Sequence, residues 1–227
     1  MPSAEVLSWV RTRFMPHIWC PGCGHGIIMH ALIRALVALK KERSNTVLAS
    51  GIGCSSRMAG YINACTLHST HGRSLAFATG IKLHRPELTV VDVMGDGDCT
   101  AIGGNHFIHA CRRNIDITAI VMNNNIYGMT GGQASPTTPI GAWASTTPFG
   151  AIDPAFDICK LAEGAGASYV ARTTIANPRQ AETYITNGIK KKGFSVIEVV
   201  THCHTQFGRK NNRRLPIENY NFFKDAS

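Results

Sequence analysis

No apolar run in this 227-residue chain approaches the ~20 residues a membrane-crossing helix needs. Residues 1–15 lack the long apolar centre of a secretory signal. Internal repeats and low-complexity segments are also missing, which excludes solenoids and compositionally disordered tails. Charge is scarce: 16% of residues are charged and 44% hydrophobic, the balance of a globular chain with much buried surface. Acid is scarcer than base, with 14 Asp and Glu against 23 Lys and Arg, a formal net charge of +9. Much of that charge sits in Lys190, Lys191 and Lys192 and in Arg209, Lys210, Arg213 and Arg214. A nucleic-acid-binding module would interleave aromatic residues with such runs. Only Phe207, Tyr220, Phe222 and Phe223 lie near them, so we read the runs as solvated faces or as a surface that steers an acidic protein partner. Eight cysteines without an export signal argue against a disulfide scaffold and for metal or redox chemistry. The expectation is a cytoplasmic protein that binds neither nucleic acid nor membrane.

What is present is an alternation of strands and helices. Ile27, Ala31, Ala35, Leu36 and Leu39 recur at helical spacing and predict a helix over 26–43. Buried strands are predicted at 46–50, 88–94, 117–122, 168–171 and 194–200. Helices are predicted at 75–83, 102–111, 154–165 and 177–192. Residues 128–154 are rich in Gly, Pro, Ser and Thr and read as a long functional loop. A mobile or partner-bound tail is expected from residue 201. The pattern gives an α/β fold, a parallel sheet flanked by helices on both faces, in one domain over 1–227 with a tail at 201–227. Ligands of such sheets sit outside the carboxyl ends of the strands. Three predicted strands end there in glycine-rich or polar turns: Gly51-Ile52-Gly53-Cys54-Ser55, Gly95-Asp96-Gly97-Asp98 and Asn123-Asn124-Asn125.

A carboxylate, an amide oxygen and a backbone carbonyl suit a hard cation, and Mg²⁺ takes its remaining ligands from phosphates and water. Glycines let the backbone approach a phosphate, and the following helix aims its first N–H groups at the anion. Gly-Asp-Gly alone is also a common turn; the Asn element after the next buried strand is what distinguishes it. Together they resemble the thiamine diphosphate fingerprint. Carried over, the resemblance implies that Asp96, Asn124 and the Ile126 carbonyl bind Mg²⁺, and that Gly95, Gly97, Asp98, Gly128 and Met129 face the diphosphate.

Cys20-Pro21-Gly22-Cys23 is a C-x-x-C that can serve as half a zinc site, a redox dithiol or a pair of cluster ligands. No buried strand precedes it, which disfavours a thioredoxin-like dithiol, and no second C-x-x-C supports a zinc ribbon. Cys54 and Cys203 both fall at carboxyl ends of predicted strands, and four converging thiolates fit a [4Fe–4S] cluster. For Cys203, zinc with His202 or His204 is the alternative. Cys65, Cys99, Cys111 and Cys159 read as buried thiols, with Cys99 the spare ligand candidate because it follows Gly-Asp-Gly-Asp.

Trp19-Cys20-Pro21-Gly22-Cys23-Gly24, Ile52-Gly53-Cys54-Ser55, Thr70-His71-Gly72-Arg73, Gly-Asp-Gly-Asp and residues 125–133 follow one another in an order that resembles the beta subunit of 2-oxoacid:ferredoxin oxidoreductases. The likeness runs from about residue 19 to about 208. It implies a thiamine diphosphate-binding fold, cluster ligands Cys20, Cys23, Cys54 and Cys203, cofactor contacts from Ile52, Gly53, Cys54, Ser55 and His71, and a catalytic role for His71. It also implies oxidative decarboxylation of a 2-oxoacid, transfer of the acyl group to coenzyme A and of single electrons through the cluster to ferredoxin. The stretches 135–139 and 147–150 resemble the 2-oxoglutarate branch, although Gly131 stands where some relatives carry a lysine. Branched-chain 2-oxoacids and pyruvate are the alternatives, and a non-redox thiamine diphosphate decarboxylase or synthase is the wider one. Related enzymes use a glutamate to activate the cofactor. Glu42, Glu87 and Glu163 sit away from the rim, so the resemblance assigns that group to an alpha subunit, alone or with further small subunits.

Overall fold

The computed structural model describes residues 3–225. Six parallel strands form the central sheet: β1 (Thr46–Ser50), β2 (Cys65–His68), β3 (Thr89–Gly95), β4 (Thr118–Asn123), β7 (Tyr169–Thr174) and β8 (Ser195–Val200), in the order β2-β1-β3-β4-β8-β7. A two-stranded antiparallel ribbon, β5 (Ile126–Tyr127) with β6 (Gln133–Ala134), rises from the rim beyond β4. Every residue of β1 and β4 is buried, as strands covered on both faces require. Successive residues of β4 divide between two cores. Ile120 and Met122 join Ile28, Leu32, Val91 and Ile197 beneath α2 (His25–Ala38) and α7 (Pro178–Lys190). Ala119 and Val121 join Phe107, Phe194 and Val196 beneath α4 (Ser74–His84), α5 (Gly104–Arg113) and α6 (Ile158–Gly164). Two short helices, α1 (Ala4–Ser8) and α3 (Met58–Tyr61), flank the first of these cores. No helix among the described residues is long and apolar enough to cross a membrane.

The predicted strands match closely, but several helix ends move. The helix from residue 25 stops at Ala38 because Lys40 takes a left-handed conformation (φ 51°) and Lys41 N–H bonds back to the Leu36 carbonyl. A lysine in that role gives no signal in the sequence, where glycine is the usual marker. The helix expected from 102 begins at Gly104, because residues 98–102 form one wide π-helical turn. The helix expected from 154 begins at Ile158, capped by Asp157, whose carboxylate accepts from Lys160 N–H. Edge strand β2, Cys-Thr-Leu-His, is too polar and exposed to have been predicted.

The segment from residue 201, expected to be mobile or partner-bound, has regular structure among the described residues. It makes a turn at His204–Gly208 and a helix, α8 (Pro216–Asp225). It is pinned to the long loop by paired hydrogen bonds between Trp143 and Asn211, and it covers the C-x-x-C segment, where Pro216 occupies the space a side chain on Gly22 would need.

Candidate active site

The strand register sets the site. Ser50 lies beside Val93 and Gly95 beside Met122, so the turns after β1, β3 and β4 leave the sheet side by side. They enclose a cavity of about 100 Å³ lined by Ile52–Ser55, His71, Gly95–Asp98, Asn124 and Ile126–Thr130. The sequence-derived cofactor and magnesium residues all border it.

Asp96 is 2% exposed. Its Oδ2 accepts from Ser135 Oγ at 2.5 Å and Thr137 Oγ1 at 2.6 Å. Burial pushes its carboxyl pKa up, and those two hydroxyls pull it partly back. Ser135 and Thr137 come from the long loop, and their part in holding Asp96 was not legible from spacing. Beside Asp96 Oδ1, the Asn124 amide lies 3.3 Å away and 2.7 Å from the Ile126 carbonyl. With its nitrogen toward them, the amide donates to both. With its oxygen toward them, three oxygens converge, an arrangement that is favourable only around a cation. Carboxylate, amide and carbonyl oxygen are the donor types of a hard divalent ion.

The other turn residues act differently from one another. Gly97 has ordinary helical angles (φ −70°), and a Cβ there would meet the Tyr127 ring at 2.2 Å. Glycine is therefore required at 97 by Tyr127, whose hydroxyl donates to the Gly97 carbonyl. The Asp98 carboxylate turns to the wall, where Oδ1 accepts from Gly72 N–H at 2.7 Å, from Ile52 N–H at 3.3 Å and from His71 Nδ1. The His71 ring stands edge-on to Tyr127 with centroids 6.0 Å apart.

A second cavity of about 380 Å³ adjoins the first, and Cys54, Asn124, Gly128, Met129 and His25 line both. Cys20, Cys23, Cys54 and Cys203 all face it. Cys203 Sγ and Cys54 Sγ lie 3.1 and 3.9 Å from where a Cβ on Gly128 would stand, so glycine at 128 leaves room for both thiols. Four thiolates around one zinc, each at about 2.3 Å, would stand about 3.8 Å apart. The only set of three or more ligand atoms within 4.8 Å of one another, among the described residues, is Asp157, Cys159 and Glu198. No three cavity thiols are thus drawn together as one zinc ion would draw them. In the metal-free chain, burial, aided by the neighbouring thiols, pushes Cys23 up to about 12 and Cys54 up to about 11. A bound metal group reverses that balance, because its positive charge favours thiolates.

His25 follows the C-x-x-C and was assigned no role from the sequence. It is buried, with Nδ1 3.0 Å from Cys23 Sγ, and burial followed by His202 lowers its pKa to about 4. The neutral ring is therefore favoured in the fold. Stability from His25 is present above the unfolded pKa of 6.5 and is lost as pH falls toward 4, about 3 kcal/mol in all. Urea melts of the metal-free chain between pH 7.5 and 4.5 should show this loss, and His25→Gln should flatten it. An equal acid sensitivity in the variant would place the effect elsewhere.

Two expectations need correction. Cys99 is not a spare ligand; the π-helical turn buries it completely in the core on the far face. Cys65, expected to be buried, is exposed on β2. Glu198, on β8, is buried near the rim, yet it is held by Asn123, Arg172 and Cys159 and lines neither cavity. Neither cavity carries a glutamate among the described residues.

The pattern of thiamine pyrophosphate enzymes, C-terminal TPP binding domain, matches residues 51–199. The chain is 54% identical over 222 residues to the 2-oxoglutarate synthase subunit KorB of Methanocaldococcus jannaschii, covering 98% of this chain and 82% of that one. It is 59% identical over 202 residues to the KorB of Archaeoglobus fulgidus, covering 89% and 75%. Among solved structures it is similar to a 2-oxoglutarate:ferredoxin oxidoreductase from Magnetococcus marinus, with 2-oxoglutarate, coenzyme A and succinyl-CoA bound. The TM-score is 0.89 and the identity 34%, over 99% of this chain and 74% of that one.

Proposed function

From the premise that this chain belongs to the thiamine diphosphate-dependent 2-oxoacid:ferredoxin oxidoreductases, as their beta subunit, we propose that it binds thiamine diphosphate with Mg²⁺ in the first cavity and a [4Fe–4S] cluster in the second, and acts on 2-oxoglutarate. The observation that carries this reading is the shared wall: Cys54, Gly128 and Met129 border both cavities, so a cofactor and a redox centre would sit a few side chains apart.

Asp96, Asn124 and the Ile126 carbonyl would hold the magnesium ion, and Cys20, Cys23, Cys54 and Cys203 the cluster. Bound there, thiamine diphosphate would supply carbanion chemistry and the cluster single-electron transfer. This chain's contribution is placement. Ser135 and Thr137 fix the Asp96 carboxylate, and Gly97 admits Tyr127 against the diphosphate turn. Trp19 Nε1–H donates to the Cys54 carbonyl at 2.7 Å and holds the wall between the cavities. His71 borders the first cavity and, in this reading, would be the side chain that meets the reacting part of the cofactor or substrate. The activating glutamate and the coenzyme A site fall to the alpha subunit, so the isolated chain should be inactive. The excess of basic residues suits an acidic ferredoxin, whose encounter would slow with salt.

Iron, acid-labile sulfide and zinc, measured on anaerobically purified complex and on Cys20→Ala, test the proposal. About four irons and four sulfides per beta chain are expected, the content of one [4Fe–4S] cluster, with most lost in the variant. Zinc in their place, or no metal beyond Mg²⁺, would favour a non-redox thiamine diphosphate enzyme.

A further inference from the structure

Asp98 follows the magnesium turn, yet its carboxylate is committed to the wall of the cavity. It is 2% exposed, and its three hydrogen bonds all run to Oδ1: from Ile52 N–H after β1, from Gly72 N–H before α4, and from His71 Nδ1. Oδ2 is buried with no hydrogen-bond partner. The surrounding backbone is shaped to admit this carboxylate. A Cβ on Gly51 would stand 2.1 Å from Asp98 Oδ2. Gly72 adopts φ +65°, and a Cβ there would meet Gly103 N at 2.5 Å, so only glycine lets the chain turn its N–H onto Oδ1.

From this geometry we propose that Asp98 is a positioning residue: it holds His71 in the tautomer protonated at Nδ1 and so presents Nε2 as a hydrogen-bond acceptor to the cofactor cavity. Oδ1 already accepts from two backbone N–H groups, so it faces Nδ1 as an acceptor, and the nitrogen that is bonded decides which nitrogen stays free. His71 lines the cavity, its side chain is 29% exposed, and with Nδ1 turned to Asp98 the opposite edge of the ring carries Nε2. The same carboxylate joins the turn at Ile52, the loop at His71 and Gly72 and the turn at Asp98, so His71 is fixed in place as well as in tautomer. The inference rests on reading His71 as a group of the reaction site.

Two measurements separate this inference from that reading. The first uses the unaltered chain with ¹⁵N-labelled histidine, His71→Gln identifying the signals. Side-chain nitrogen shifts should show His71 protonated at Nδ1 and bare at Nε2, with Asp98→Asn giving a mixture or the opposite tautomer. An Nε2-protonated ring in the unaltered chain overturns the proposal, and needs no variant to fold.

The second is a double-mutant cycle in the assembled enzyme. Asp98→Asn should lower kcat roughly 10- to 100-fold, the range for losing a group that orients a functional histidine, while KM for the 2-oxoacid and the affinity for thiamine diphosphate hold. In the His71→Gln background the same change should add no further loss. An equal loss in both backgrounds would make Asp98 merely structural. Full activity in His71→Gln would instead remove His71 from the reaction, leaving the nitrogen spectra to decide the tautomer.

Discussion

Asp96→Asn in the assembled enzyme should lower turnover on the order of a thousandfold, about 4 kcal/mol of activation, because in the proposed magnesium site it removes the one side-chain carboxylate that would join the diphosphate oxygens on the ion. Magnesium-dependent binding of thiamine diphosphate weakens with it, as titration followed by intrinsic fluorescence should show. The fold should survive for reasons visible around the residue. Ser135 Oγ lies 3.0 Å from Thr137 Oγ1 and 3.4 Å from Thr138 Oγ1, so hydroxyls that lose a carboxylate can turn to one another or accept from the new amide. Burial holds the Asp96 carboxyl pKa above its ordinary value, which means that the metal-free chain bears a cost for its charge. The neutral variant should therefore match or exceed the stability of the unaltered metal-free chain in urea. This pairing of lost cofactor and retained stability distinguishes a ligand from a core residue. Unchanged magnesium-dependent binding would sink the assignment.

Much of this arrangement was legible in the sequence because it depends on short-range patterns. The runs of apolar and β-branched residues at 46–50, 117–122 and 194–200 can only be strands buried on both faces, and their alternation with helices sets the three turns on one rim. Asp96, Asn124 and the C-x-x-C stand out for the same reason: each is an unusual residue set at a strand end or beside a helix start. What escaped depends on contacts distant in sequence. Ser135 and Thr137 reach Asp96 across about forty residues, with nothing in their own segment to mark it. Trp143 and Asn211, or Gly22 and Pro216, order the tail through pairings that periodicity does not record. Cys99 misled because adjacency to Gly-Asp-Gly-Asp says nothing of direction, and one π-helical turn sends its thiol into the opposite core.

The two cavities make sense only together, which gives the cysteine in their shared wall the second large effect. Cys54→Ala should abolish ferredoxin reduction by on the order of a thousandfold, again about 4 kcal/mol, while thiamine diphosphate binding persists. The asymmetry follows from which atoms the substitution removes. The Cys54 carbonyl, which accepts from Trp19 Nε1–H, is backbone and stays. Ile52, Gly53 and Ser55 keep their places on the cofactor cavity. Only Sγ is lost, the thiol whose pKa burial and the neighbouring Cys203 and Cys20 push up to about 11 in the metal-free chain. Trp19 reports the outcome directly, since its ring lines the cysteine cavity and is packed against His17, Tyr61 and His25. An iron–sulfur centre beside it should quench its emission in the anaerobic enzyme, and Cys54→Ala should restore emission as iron and sulfide fall. A variant that keeps full iron, full sulfide and full ferredoxin reduction would remove Cys54 from the ligand set. One that loses thiamine diphosphate binding but keeps its iron would assign Cys54 to the cofactor cavity alone.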